Sequence, residues 1–384
     1  MNLLIAHGGG PTAVINSSLQ GVIERARELD RGGRIYAARF GVEGLLRDDL
    51  ADLRDTPASA VRRLSSTPSS AIGSCRRKLE EADLPALLAC FRKYQIDAFL
   101  YNGGNDSMDT CEKIARYAAR SGMPLRVLGI PKTMDNDLAV TDHCPGYGSA
   151  ARYAALTASE MATEASALPI HVVFLELMGR NAGWVTAASA LAAGRAACEV
   201  LTYLPERPVD EEKMLAEIDC AFARGHGLLV TVSEGLRGLD GALLADTGIL
   251  DGFGHVMPGG AAQYLARLVM DRLGLKARAE KPGLAGRCSM GCVSPTDREE
   301  AYAAGAYAAE TALCGEADGM VAIAAERRPA YRYRLFLTPF DRVANTEKRF
   351  PVEWIEEGGR ISPAFFDYVT PLLGGTPPAY VRFF

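Results

Sequence analysis

The chain has 384 residues, 48% hydrophobic and 23% charged, with a net charge of −5. That length suits two domains rather than one core, the composition is that of a globular protein, and an acidic chain without a Lys/Arg block excludes a nucleic-acid groove. The opening is too short for a secretory leader, no apolar run approaches the ~20 residues that span a bilayer, and the scattered cysteines read as reduced thiols, so the expectation is a cytoplasmic protein with neither nucleic-acid nor membrane partners.

The first stretch, NLLIAH, reads as a strand, and Ala13 to Leu29 as a helix. RIYAARF (strand), PALLACFRKY (helix), IDAFLYN (strand), Ser107 to Arg120 (helix) and LRVLGI (strand) follow. The second half repeats the theme with the strands IHVVFLEL, CEVLTYL, GLLVTVS and DGMVAIA. A small-residue helix, NAGWVTAASALAAG, and helices over 210–224, 259–273 and 297–314 separate them. Cys288 and Cys292 are close together, but no second pair at zinc spacing accompanies them. The tail PLLGGTPPAYVRFF reads as an irregular arm. Continuous apolar strands alternating with helices predict an α/β fold with mostly parallel sheets covered on both faces. Ligands of such sheets sit outside the carboxyl ends of the strands.

Five strand-end loops carry candidate chemistry. HGGGPTAVINSS, residues 7–18, has glycines that let backbone amides approach an anion at a helix start; a plain tight turn reads equally well. It has neither a Walker Lys-Ser/Thr nor the dinucleotide fingerprint. YNGGNDSMDT, residues 101–110, offers Asn105, Asp106 and Ser107 as helix caps or a Mg²⁺ ligand. PKTMDND, residues 131–137, packs Lys132, Asp135 and Asp137 into seven positions. In an extended loop both carboxylates point into one cleft; the alternative is a turn in which Asp135 and Asn136 bond their own backbone. LELMGRNAGW places Arg180 where it can grip a phosphate. SEG places Glu234 where it can accept sugar hydroxyl bonds; a surface salt bridge is the bland reading of each.

In order and spacing these loops resemble the phosphofructokinase family, over residues 3 to about 325. GGPTAVIN is similar to its first glycine loop, GGNDS to its second, KTMDND to its TIDND loop, ELMGR to its sugar-phosphate motif, and SEG follows. GSCRR resembles the segment whose arginine faces the transferred phosphoryl group, with Arg76 the choice over Arg77. Arg278 and Arg287 have the spacing of two family arginines that hold the 6-phosphate. The resemblance implies two Rossmann-like domains: 1–147 plus about 286–340 for the donor, and 148–285 plus about 341–384 for the sugar phosphate. It implies Asp135 as general base, Asp137 as its support and Thr133 as a hold on the transferring group. Gly9, Gly10, Gly104, Asp106, Ser107 and Lys132 would cradle the donor. Met178, Gly179, Arg180, Glu234, Arg278 and Arg287 would bind fructose 6-phosphate. Mg²⁺ is the implied cofactor and Asp106 its ligand. With Arg278 coming from a neighbouring subunit, the implied assembly is a homodimer or homotetramer with shared active sites.

Three positions depart from the family. Asn105 stands for a metal-linked aspartate, His171 for a neighbour's arginine, and Gly286 for the glutamine before the second arginine. The donor turns on Asp106 and Lys132, since ATP-dependent members have glycine at both positions. A carboxylate at Asp106 fills the space of a nucleotide α-phosphate and repels it. Lys132 adds charge beside pyrophosphate. The implied reaction is reversible pyrophosphate-dependent phosphorylation of the sugar 1-hydroxyl, glycolytic or gluconeogenic. The alternative is an ATP-dependent 6-phosphofructokinase. A catalytically silent subunit would have lost Asp135 and Asp137. A nicotinamide dehydrogenase would carry the dinucleotide fingerprint and an acidic residue at the end of the second strand, RIYAARF, and neither is there.

Overall fold

The computed structural model describes residues 1–195, 198–250, 256–315 and 317–383. Its strands are β1 Asn2–His7, β2 Ile35–Ala38, β3 Leu50–Asp52, β4 Ile96–Gly103, β5 Arg126–Pro131, β6 Val172–Leu177, β7 Glu199–Tyr203 and β8 Leu228–Ser233. They continue as β9 Asp246–Leu250, β10 Val256–Pro258, β11 Ala277–Glu280, β12 Gly319–Glu326, β13 Arg332–Thr338, β14 Ile355–Glu356 and β15 Arg360–Ile361. The chain divides into two compact units, Met1–Tyr147 with Cys288–Lys348, and Gly148–Arg287 with Arg349–Phe384.

The first unit is built on a seven-stranded sheet in the order β13-β12-β5-β4-β1-β2-β3. Its centre is parallel, and antiparallel strands close both edges. Side chains alternate between two cores. Leu4, Ala6, Phe99, Tyr101 and Val127 pack on one face with helices Leu84–Lys93 and Asn105–Arg120. Leu3, Ile5, Ala98, Leu100, Leu128 and Ile130 pack on the other, with helices Ile15–Leu29 and Pro295–Cys314. Burial on both faces explains why these strands read as unbroken apolar runs. The chain runs outward from β1 through β2 and β3, then returns to lay β4 on the other side of β1. That reversal opens a crevice at the carboxyl ends of β1 and β4.

The second unit holds an all-parallel sheet, β11-β6-β8-β7. Helices Glu211–Phe222 and Ala261–Leu273 cover one face through Phe174, Leu201, Val230, Ile218, Leu265 and Val269. Strands β9 and β10 pair antiparallel in a separate two-stranded sheet. The C-terminal segment adds Phe350, Trp354, Phe365 and Tyr368, which surround Trp184 with ring centroids 5.1 to 6.5 Å from it.

Several elements differ from the sequence expectation. A 21-residue helix, Tyr147–Ala167, precedes β6. The small-residue segment after Gly183 is only a short helix, Trp184–Ala188, continued by a 3-10 turn, Ser189–Ala192. Edge strands β11 and β13 were not legible as apolar runs, because one side of each faces outward and carries charge.

Candidate active site

In the first unit, three loops converge at the carboxyl ends of β1, β4 and β5. The β1 loop is pinned to GSCRR: Gly9 N donates to Cys75 O at 2.9 Å and Ser74 Oγ to Gly9 O at 2.6 Å. Gly8 is required by close approach, since a Cβ there would lie 2.3 Å from Ser107 Oγ. The first and second glycine loops therefore touch. The third joins them through Lys132, whose N donates to Gly103 O at 3.1 Å and whose Nζ donates to Gly10 O at 2.8 Å. Lys132 is 4% exposed, so its charge acts with little water around it. Burial and the Lys132 charge together push His7 down to about 3, leaving that ring neutral. Gly9, Gly10, Gly104, Ser107 and Lys132 are thus brought together.

Helix Asn105–Arg120 has Gly104 as its N-cap, with no side-chain cap, so Asn105, Asp106 and Ser107 form its first turn rather than its cap. The Asn105 amide is committed elsewhere. Its Oδ1 accepts from Asn345 N at 2.6 Å and its Nδ2 donates to Thr346 O at 2.7 Å. Asp106 stays exposed in the positive first turn of the helix, which favours an anionic side chain there. Arg76 is exposed one residue past Cys75, while Arg77 pairs with Asp83 at 2.8 Å.

The Thr133–Asp137 loop is not extended. Asn136 adopts φ 55°, in the left-handed region that Asn tolerates best among non-glycine residues. Its buried amide reaches beyond the loop. Oδ1 accepts from Cys144 N at 3.0 Å. Thr133 Oγ1 accepts from Asp135 N at 3.1 Å and also bonds the Asp137 carboxylate. Asp135 is half-buried. Burial raises the Asp137 pKa against that Thr133 bond and the positive charges of Lys348 and Lys132, and its Oδ1 is buried without a hydrogen-bond partner.

In the second unit, the loops after β6 and β8 are locked together. Glu234 N donates to Leu177 O at 3.0 Å, Ser233 Oγ to Gly179 O, and Gly179 N to Glu234 Oε1 at 3.5 Å. Gly179 sits at φ 136°, where a Cβ would be 2.7 Å from Ala182 O. This turn delivers Met178 and Arg180, both half-buried, beside Glu234. Burial raises the Glu234 pKa; Gly179 N–H, Lys281 and Arg180 oppose the rise, and Glu176 adds to it. Within one chain Arg278 does not join them. It is exposed on edge strand β11 and pairs with Val173 near the start of β6, whereas Arg180 follows the end of β6. Arg287 lies half-buried in the helical turn Ala285–Cys288.

Sequence reasoning missed Lys281 and Glu176. Lys281 Nζ is 2.5 Å from Glu176 Oε1, and Glu176 Oε2 accepts from Ala262 N at 3.0 Å. The only available signal was a lysine just beyond a strand, and β11 did not read as one.

The phosphofructokinase family model matches residues 2–312. The chain is 41% identical over 386 aligned residues to the pyrophosphate–fructose 6-phosphate 1-phosphotransferase of Methylococcus capsulatus, covering 97% of this chain and 92% of that protein. It is 40% identical to the protein of the same name from Xanthomonas campestris, covering 98% and 92%. The crystal structure of the pyrophosphate-dependent phosphofructokinase from Nitrosospira multiformis aligns with TM-score 0.89 at 37% identity, over 99% of this chain and 94% of that one.

Proposed function

Because the chain belongs to the phosphofructokinase family, we propose that it transfers a phosphoryl group from pyrophosphate to the 1-hydroxyl of fructose 6-phosphate, reversibly. The 1-hydroxyl oxygen attacks the terminal phosphorus. A new O–P bond forms, the bridging P–O bond breaks, inorganic phosphate leaves, and the hydroxyl proton passes to Asp135. Positioning and charge carry most of such a reaction. Gly9, Gly10, Gly104 and Ser107 hold the donor, and Lys132 and Arg76 offset its charge. Thr133 and Asp137 keep Asp135 in place. Met178, Gly179, Arg180, Glu234 and Arg287 hold the sugar phosphate, and Arg278 reaches a neighbouring subunit of a homodimer or homotetramer.

The donor reading rests on one observation above the others: Lys132, buried and bonded to Gly10, places an ammonium against the first glycine loop. A short, highly charged donor without a nucleotide gains most from it. Mg²⁺ fits here through Asp106, because this cation takes one or two carboxylates plus phosphate oxygens and keeps its waters. Asn105 has a neutral amide already bonded to the 345–346 backbone, which favours Asp106 for that role. When bound with pyrophosphate, Mg²⁺ supplies further neutralisation of the donor's charge. All nine cysteines are free thiols, which supports a cytoplasmic setting. The test is direct. Purified protein with fructose 6-phosphate, pyrophosphate and Mg²⁺ should yield fructose 1,6-bisphosphate and phosphate in equal amounts by ³¹P NMR. Absence of both products contradicts the reading.

A further inference from the structure

Lys281 is unexplained by the roles above. It is the first residue past β11, and β11 pairs with β6 through Glu280 and Leu175. Lys281 therefore lies opposite Glu176, at the same sheet end that carries Arg180 and Glu234. Its Nζ meets Glu176 Oε1 at 2.5 Å. Glu176 is 2% exposed, and its other oxygen takes the Ala262 N–H in the first turn of helix Ala261–Leu273. The positive end of that helix already favours the carboxylate. The Lys281 side chain keeps 37% exposure. One partner of this ion pair is thus fixed in the core, and the other is an ammonium tethered at the rim. Lys281 and Arg180 act on Glu234 with the same sign, so two cations and one sugar-binding carboxylate share this end of the sheet.

We infer that Lys281 binds the anionic phosphate of the acceptor sugar from within the same chain, with Glu176 holding the lysine in place. The inference rests on the function proposed above. An ammonium on a four-carbon stem can keep its ion pair with Glu176 and offer its donors to phosphate oxygens. The bland reading is that Lys281 only neutralises Glu176, and the two readings separate experimentally. Fructose 6-phosphate binding is measured by calorimetry without donor, and KM and kcat with pyrophosphate, for wild type, Lys281→Met, Lys281→Arg and the Lys281→Met, Glu176→Gln double variant. Lys281→Met should weaken sugar-phosphate binding and raise its KM at least tenfold, with kcat and the KM for pyrophosphate within twofold of wild type. The double variant, which removes the buried unpaired carboxylate, should recover thermal stability but not affinity. Lys281→Arg should retain most of the affinity. Recovery of affinity in the double variant, or no loss in Lys281→Met, overturns the inference while leaving the enzyme reading intact. A wild-type protein that neither binds nor turns over fructose 6-phosphate overturns both. If Lys281→Met does not fold, the double variant decides alone.

Discussion

Asp135 and Asp137 are two residues apart but in different surroundings, and the left-handed Asn136 between them separates their environments. Asp135 is half-buried, with its N–H on Thr133. Asp137 carries a carboxylate oxygen without a partner and a pKa raised by burial. Asp135→Asn should leave the unfolding temperature unchanged and lower kcat on the order of 10²–10⁴-fold, the usual weight of a general base. Steady-state kinetics checks this, and turnover within threefold of wild type removes Asp135 from the role. Asp137→Asn should behave differently. A carboxyl whose folded pKa is raised stabilises the fold below its unfolded pKa and loses that contribution as pH rises through the folded value. The asparagine variant escapes that loss. Its melting temperature should exceed wild type at pH 8, with the gap closing toward pH 3, while its activity falls. Sequence showed that both carboxylates exist and lie in a strand-end loop. It did not show their separation, because the φ of Asn136 depends on the distant Cys144 N–H that its side chain accepts.

At the scale of elements, the loops were legible because the strands leading into them are buried on both faces and end abruptly in Gly, Lys or Glu. Helix Tyr147–Ala167 was not. Ala150, Ala151, Ala154, Ala155, Ala158, Ala162 and Ala165 are all buried, so small residues, rather than a large apolar stripe, make its packing surface. The segment joining the Thr133–Asp137 loop to that helix carries a second device. His143, fully buried, bonds Asp142 Oδ1 through Nδ1 at 2.9 Å and Glu300 Oε2 through Nε2 at 2.7 Å. Arg327 grips Asp142 with two bonds, Tyr331 donates to Glu300, and Lys348 Nζ donates to the carbonyls of Thr141 and Asp142. Burial opposes a charged ring, but Glu300 and Asp142 outweigh it and lift His143 to about 8. A raised histidine pKa stabilises fully below the unfolded value of ~6.5 and loses that contribution as pH rises through the folded value. Between pH 6 and 9.5 wild type should therefore lose on the order of 2 kcal/mol from this source, using 1.36 kcal/mol per pKa unit. Urea unfolding of wild type and His143→Gln across that range checks it. Equal pH slopes for the two proteins would show that the cluster does not titrate.

For the whole molecule, each compact unit is made of two separate stretches of chain, with β12 returning to the first sheet after the second has been built. Alternating apolar strands and helices announced α/β units, but periodicity alone cannot say which late strand returns to which sheet. Arg278 shows the same limit for the site. Its sequence spacing resembled a phosphate ligand's, yet it is exposed on an edge strand at the level of Val173, away from Arg180 in its own chain. If it serves a neighbouring subunit, inactive Arg278→Ala chains mixed with inactive Asp135→Asn chains should regain activity once hybrids form. Confirmed subunit exchange without recovery rules the sharing out. Lys132 lies against the first glycine loop and Asp106 in the helical turn that follows the second, and the choice of donor turns on both. Lys132→Gly should cost about 2–4 kcal/mol in kcat/KM for pyrophosphate, the loss expected for one charge-stabilising donor. Asp106→Gly should admit ATP weakly. The most direct measurement is kcat/KM with pyrophosphate and with ATP, at saturating fructose 6-phosphate, for wild type and for the Asp106→Gly, Lys132→Gly double variant. Wild type should prefer pyrophosphate and the double variant should shift toward ATP, with low turnover. A wild-type protein that prefers ATP contradicts the account.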